Sequence, residues 1–292
     1  MSEHQKTIIA CATATNKQEN QDASKSYQSA FFNAVFVGDG LGSYLLAKDA
    51  ADTVVDFFHE KCNTTELPNE DRIVELFKEA QQLLVDKRSI NGDHYDNSAQ
   101  LYATTLISVF ENDDKFVIAY TGNGAIWHIR GSFDEFPTYY HFPWNALNVL
   151  NPHTIPQDGR EVLYKLISDV PMAEECYPSI ITIKKDVFQG DILLICTDGI
   201  YSADQLSAGK NDKGVWVKYE PKMLTFFKGL REEFSKIEDY DSGKLGDFLG
   251  KYLNTIQASL DDDATVAMLI TDTTIAYHKT KNLAKHASSE DN

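Results

Sequence analysis

Apolar residues fall along this chain in short, nearly unbroken runs that end in polar or acidic turns. Residues 7–14, 31–38, 103–110, 115–120, 125–130, 180–184, 192–197, 264–271 and 274–277 are such runs. Their richness in Val, Ile, Phe and Tyr reads as strand, and continuous runs of this length mark strands buried on both faces. Between the runs the period changes. Leu45, Leu46, Ala50, Val54, Val55 and Phe58 recur at helical spacing over 44–60, as do Ile73, Leu76, Phe77, Ala80, Leu83 and Leu84 over 71–85. Two further helices are expected at 221–234 and 242–259. Glu111-Asn112-Asp113-Asp114 reads as a hairpin loop and Thr121-Gly122-Asn123-Gly124 as a tight turn. After the first run the chain reads as a polar loop through Asn20-Gln21-Asp22. Runs of strands with helix pairs inserted between them predict an α+β fold rather than a doubly wound parallel sheet.

Residues 131–177 break the pattern, with Pro137, Pro143, Pro152 and Pro156 among many aromatics. So long a connection inside a compact domain is expected to be a functional flap. Phe133, Phe136, Tyr139, Tyr140, Phe142 and Trp144 are expected to form a small core of its own. The polar stretch 279–292 reads as a disordered tail, leaving 1–278 as one catalytic domain.

Composition narrows the function. The formal net charge of −17 over 292 residues disfavours nucleic acid and anionic membrane surfaces, and suits divalent cations and basic peptides. No opening segment has a signal-peptide h-region and no apolar run is long enough to span a bilayer, so a cytoplasmic location is expected. Cys11, Cys62, Cys176 and Cys196 have no paired or zinc-type spacing and read as buried, reduced thiols. The eight histidines show no ligand spacing; His128 and His141 read as structural or exposed.

The candidate chemistry lies in carboxylates at strand ends. Asp39-Gly40 closes one apolar run, Asp198-Gly199 closes another, and Asp261-Asp262-Asp263 precedes a third. Carboxylate and carbonyl oxygens suit hard cations such as Mg²⁺ and Mn²⁺. A lone Asp-Gly is usually only a turn; two of them and an acidic triplet, all at strand tips, point to a metal-dependent hydrolase. Asp261 and Asp263 are expected to be turn or solvent-facing residues.

In order, Asn20-Gln21-Asp22, Val37-Gly38-Asp39-Gly40-Leu41-Gly42-Ser43, Ala103-Thr104-Thr105-Leu106, Tyr120-Thr121-Gly122-Asn123-Gly124-Ala125, Thr197-Asp198-Gly199-Ile200-Tyr201 and Asp262-Asp263-Ala264-Thr265-Val266 form a set. The set resembles the type 2C, metal-dependent serine/threonine protein phosphatase (PPM) family, particularly its bacterial members, from about residue 10 to 270. The resemblance implies a four-layer α-β-β-α sandwich of two antiparallel sheets flanked by helices, with two divalent cations at one end. Asp39 resembles the carboxylate that bridges both metals and Gly40 the residue whose carbonyl joins it. Asp198 and Asp262 resemble the remaining ligands of one metal, and Asp22 an acid that holds metal-bound water. The implied chemistry is attack of a metal-bridging hydroxide on a protein phosphoserine or phosphothreonine, with a kinase as the counterpart.

Departures qualify the resemblance. Lys17 stands where the family has a phosphate-clamping arginine, and a lysine is a point charge without the fork. Asn123 stands where an aspartate supports a third metal, and keeps an oxygen without the charge, which argues against a third site. Asp263 replaces a more usual asparagine. The rival readings are a weak or inactive regulatory module of the same family and a phosphatase of small metabolites.

Overall fold

The computed structural model describes residues 7–95, 100–133, 142–143, 145–158, 160–170, 174–202, 205–237 and 240–290. In chain order the elements are β1 (Ile8–Ala14), β2 (Asp22–Gln28), β3 (Asn33–Asp39), α1 (Ala47–Lys61), α2 (Glu70–Asn91), β4 (Ala103–Thr104), β5 (Leu106–Glu111), β6 (Lys115–Thr121) and β7 (Ala125–Arg130). There follow β8 (Ala146–Asn148), β9 (Thr154–Gln157), β10 (Arg160–Leu163), β11 (Ile167–Ser168), β12 (Ser179–Lys184) and β13 (Asp191–Cys196). The chain ends with β14 (Ser207–Lys210), β15 (Trp216–Tyr219), α3 (Pro221–Phe234), α4 (Ser242–Ile256), β16 (Ala264–Ile270) and α5 (Asp272–Glu290).

Two five-stranded antiparallel sheets carry the fold, in the orders β1-β16-β13-β7-β8 and β12-β6-β5-β3-β2. Side chains alternate across a strand, so each central strand feeds two apolar layers. In β3, Val35 and Val37 point between the sheets, where they meet Ile107, Ile118, Leu193 and Leu269. Ala34 and Phe36 point outward beneath α1 and α2, against Val54, Phe58 and Phe77. In β16, Ala267 and Leu269 face the inner layer, while Val266, Met268 and Ile270 meet Phe226, Leu249 and Leu253 of α3 and α4. The result is the expected four-layer sandwich.

Local signals set the helix starts. Asn69 accepts from Arg72 N–H at 2.8 Å to cap α2, Pro221 opens α3, and Asp241 accepts from Lys244 N–H at 2.9 Å to cap α4.

Several expectations fail for physical reasons. Residues 22–28 form β2, a strand not expected from the sequence, in which Asp22 is strand instead of loop: as the sheet's edge strand, Asp-Ala-Ser-Lys-Ser-Tyr-Gln needs no apolar run. The strand expected at 274–277 and the disordered tail expected from 279 are replaced by α5 through Glu290. Ile275 and His278, three apart, share one buried helical face, which a two-residue alternation cannot distinguish over so short a window. Phe133 and Phe142 form no separate flap core: Phe133 packs 5.2 Å from Phe234 and Phe142 5.0 Å from Trp127, in the main core beneath α3. His141, Phe136, Tyr139, Tyr140 and Trp144 lie outside the described residues.

Candidate metal centre

Strand pairing assembles the acids. β2 and β3 are antiparallel in a register that sets Asp22 opposite Asp39, so their side chains leave the same face at the same end. The Asp39 backbone is clamped there: its carbonyl accepts from Thr105 N–H at 2.8 Å and from the Thr104 hydroxyl at 3.0 Å. Cys196 ends β13 and Ala264 begins β16 beside it, which brings Asp198 and Asp262-Asp263 to that end. The glycines serve close approach. A side chain at Gly40 would collide with the Ala47 backbone at the start of α1, and one at Gly199 with the Asp263 carbonyl, locking the Asp198 and Asp263 loops together. Neither sits at positive φ, so the turn itself does not demand them.

The charges are only partly compensated. Burial pushes the Asp39 carboxyl well above the usual carboxylate range, with the charges of Asp22, Asp198 and Asp262 adding to it. Burial also raises Asp22, to about 7, against the pull of the Thr265 and Thr197 hydroxyls and with added push from Asp198 and Asp263. Asp22 Oδ2 accepts from Thr197 Oγ1 at 2.9 Å, whereas its buried Oδ1 has no hydrogen-bond partner. Asn123 Nδ2 donates to Asp198 Oδ2 at 2.8 Å, and Asn123 Oδ1 is buried without a partner.

Lys17 reaches the same group. Its ammonium pairs with Asp262 Oδ1 and stands 3.9 Å from Asp263 Oδ2. Burial works to lower its pKa, but Asp262, then Asp263 and Asp39, carry it above the ordinary lysine value. Asp263 is not the solvent-facing turn residue expected: at 2 % exposure it accepts from the Thr15 hydroxyl and, at 2.8 Å, from Gln21 N–H. An oxygen of either an asparagine or an aspartate fits a loop in sequence; only packing reveals that this one holds the neighbouring loop.

In kind, these donors fit hard cations: carboxylates, a backbone carbonyl, and the unpartnered Asp22 Oδ1. Among the described residues, no three His, Cys, Asp or Glu side chains form a closed ion cage. Asp39 and Asp198 stand within hydrogen-bond reach of each other, and Asp262 turns its carboxylate to Lys17.

His153 is a supporting residue that spacing does not flag. Its Nδ1 accepts from Gly122 N–H at 3.2 Å and its backbone N–H donates to the Gly122 carbonyl at 2.9 Å. Nδ1 as acceptor leaves the ring proton on Nε2, which donates to Ser179 Oγ at 2.8 Å. The ring stacks on Tyr120 with centroids 5.1 Å apart. It thereby ties the 131–177 segment to the turn that carries Asn123. A second tie is β11, which pairs with β4, so that Ile167 lies opposite Thr104, the residue bonded to the Asp39 carbonyl. His128, by contrast, is structural, 2.7 Å from the buried Asp191.

No thiol competes as nucleophile. Burial pushes Cys11 and Cys62 up to about 12 and raises Cys176 and Cys196, so the thiolate form is disfavoured at all four. A cavity of about 760 Å³ between Phe32, Cys62, Pro68 and Arg72 lies at the α1–α2 corner, away from the acids.

Comparison with known proteins agrees with this architecture. Residues 12–140 match the family model described as protein phosphatase 2C. No curated protein matches the chain in sequence. Among solved structures, the fold is similar to the serine/threonine phosphatase Stp1 of Staphylococcus aureus, at TM-score 0.60 and 15% identity over 90% of this chain and 94% of that one. It is similar to the serine/threonine phosphatase of S. agalactiae, at TM-score 0.61 and 14% identity over 91% and 99%. It also resembles the catalytic domain of the phosphatase PstP in complex with two manganese ions, at TM-score 0.56 and 13% identity over 91% and 99%. The sequence match over residues 12–140 and the fold shared along the chain make the protein similar to the protein phosphatase 2C family in its N-terminal part and in its overall architecture.

Proposed function

We propose that the protein hydrolyses phosphoserine and phosphothreonine on protein substrates, with two divalent cations, Mg²⁺ or Mn²⁺, held by Asp39, the Gly40 carbonyl, Asp198 and Asp262, and with Asp22 behind them. The observation that carries this reading is the convergence of Asp22, Asp39, Asp198 and Asp262 at one end of the sandwich, where their mutual repulsion calls for positive charge. The two manganese ions bound to the similar PstP domain support the choice of cation. When bound, such cations supply an activated water and positive charge against phosphoryl oxygens. The chain's own contributions are positional. The Thr104 and Thr105 clamp fixes the Asp39 backbone, the Thr197 hydroxyl orients Asp22, and Asn123 orients Asp198. Lys17, seated on Asp262, would offer a phosphoryl oxygen a point charge.

Residues 1–278 then act as one catalytic unit, with residues 131–177 as a flap that shapes substrate access. A kinase is the reaction class that supplies the substrate. Four free cysteines and the lack, among the described residues, of any helix long and apolar enough to cross a membrane are in keeping with a cytoplasmic setting.

The test is turnover of a phosphothreonine peptide with Mn²⁺, with and without EDTA, for the wild type and Asp39→Asn. The expected result is full loss with EDTA and a drop of about 100-fold or more in the variant, the scale of removing one preorganised group that stabilises the transition state. Asp39→Asn should melt no lower than wild type in EDTA, since it removes a repelled charge. EDTA-resistant turnover, or wild-type turnover in Asp39→Asn, would refute the reading. Mn²⁺ binding without turnover would favour a regulatory module, the reading that the Lys17–Asp262 pair supports.

A further inference from the structure

The loop carrying Lys17 is strapped to the acids that precede β16. Its two ends are fixed on one buried carboxylate: Asp263 Oδ1 takes the Thr15 hydroxyl and Oδ2 takes Gln21 N–H at 2.8 Å. Thr15 Oγ1 also accepts from Lys17 N–H at 2.9 Å, and the Thr15 carbonyl accepts from Gln257 Nε2 at 3.1 Å. So held, the loop delivers the Lys17 ammonium onto Asp262 Oδ1. Asp263 thus acts as the loop's anchor and Asp262 as the lysine's seat.

We propose that Lys17 is a tethered counter-cation that competes with a divalent ion for Asp262 and is freed toward the phosphoryl group when the ion takes that carboxylate. This rests on the reading of Asp262 as a metal ligand. A lysine suits the role because its ammonium is a compact charge on a flexible stem, able to turn from one acceptor to another, whereas a guanidinium fork favours a fixed bidentate partner. The pair is weak enough to be displaced, since the Lys17 and Asp262 side chains are 40% and 52% exposed. Displacement couples two events. The ion evicts the lysine, the lysine then binds phosphate, and by linkage phosphate strengthens ion binding. Metal loading and phosphate affinity would therefore rise together.

The test is calorimetric titration of the full chain with Mn²⁺ in the absence of phosphate, for wild type, Lys17→Met, Lys25→Met and Asp39→Asn. Lys25 is the control for net charge alone, because it pairs at 2.8 Å with Asp56, outside the acid group. Lys17→Met should bind Mn²⁺ about two- to fivefold more tightly, the range that loss of one exposed ion pair allows, while Lys25→Met stays at the wild-type value. Titration of inorganic phosphate into the Mn²⁺-loaded proteins should show weaker binding to Lys17→Met than to wild type. Melting curves confirm that the variants are folded, and the Thr15 and Gln21 bonds to Asp263 do not involve the substituted side chain.

Equal Mn²⁺ affinity in Lys17→Met and wild type, or an equal gain in Lys25→Met, overturns the proposal while leaving the metal centre standing, and weaker phosphate binding would then mark Lys17 as a phosphate clamp alone. No Mn²⁺ binding by wild type, or binding untouched by Asp39→Asn, overturns the metal centre itself and this proposal with it.

Discussion

Asn123 shows how one atom's chemistry redirects a site. From sequence it is an oxygen without a charge; in the fold its amide nitrogen donates to Asp198 Oδ2 at 2.8 Å. The residue keeps contact with a candidate ligand but supplies a proton where an aspartate would supply repulsion. Asn123→Asp therefore exchanges a donor for a like charge at nearly constant shape. Without metal, its melting temperature should fall by a few degrees, the shift that about 1 kcal/mol produces in a domain of this size. Saturating Mn²⁺ should then raise it by more than it raises wild type, because the added carboxylate repels its neighbours until a cation arrives. Fluorimetric melts across a Mn²⁺ series measure both. Superimposable curves for the two proteins would mean that position 123 only makes a turn.

Among the elements, the join between the 131–177 segment and the sheets rests on a histidine that must stay neutral. Burial, aided by the charge of Lys165, pushes His153 down to about 4. Its Nδ1 accepts from Gly122 N–H, so protonation breaks that bond. The unfolded chain takes up this proton near pH 6.5 and the folded one only near 4. The sign follows: stability from this group is complete above 6.5 and is lost as pH falls from there toward 4. His153→Gln cannot titrate. The stability advantage of wild type over the variant, from urea unfolding at pH 7 and pH 5, should shrink by roughly 1–2 kcal/mol on acidification. A difference independent of pH would show that His153 titrates alike in both states.

Across the whole molecule, the formal net charge of −17 should bias which phosphopeptides arrive. A negative field favours encounter with basic flanking sequences and repels acidic ones, over distances that salt shortens. The ratio of kcat/KM for a phosphothreonine peptide with Lys and Arg flanks to one with Asp and Glu flanks should exceed one at low ionic strength. It should approach one in about 0.5 M salt. A salt-independent ratio would assign the preference to local contacts instead of the overall field.

What was legible in the sequence is what short-range rules determine. Both faces of a central strand are buried, so β3, β5, β6, β13 and β16 announce themselves as apolar runs, and the amphipathic helices α1 to α4 by their period. The Asp-Gly steps mark where acids sit at strand ends. An edge strand such as β2 carries no such signature, because half of its surface faces solvent or a helix and polar residues suffice there. Nor does α5, whose one buried face spans too few turns at its start to outvote an apparent alternation. Only the tertiary structure decided the rest, because it depends on pairing between distant segments. The β2–β3 register sets Asp22 across from Asp39, Asp263 turns inward to anchor the loop 242 residues before it, and Lys17 spends its charge on Asp262. A residue's type limits which bonds it can make; the packing of strands far apart in the chain selects which of them it does make.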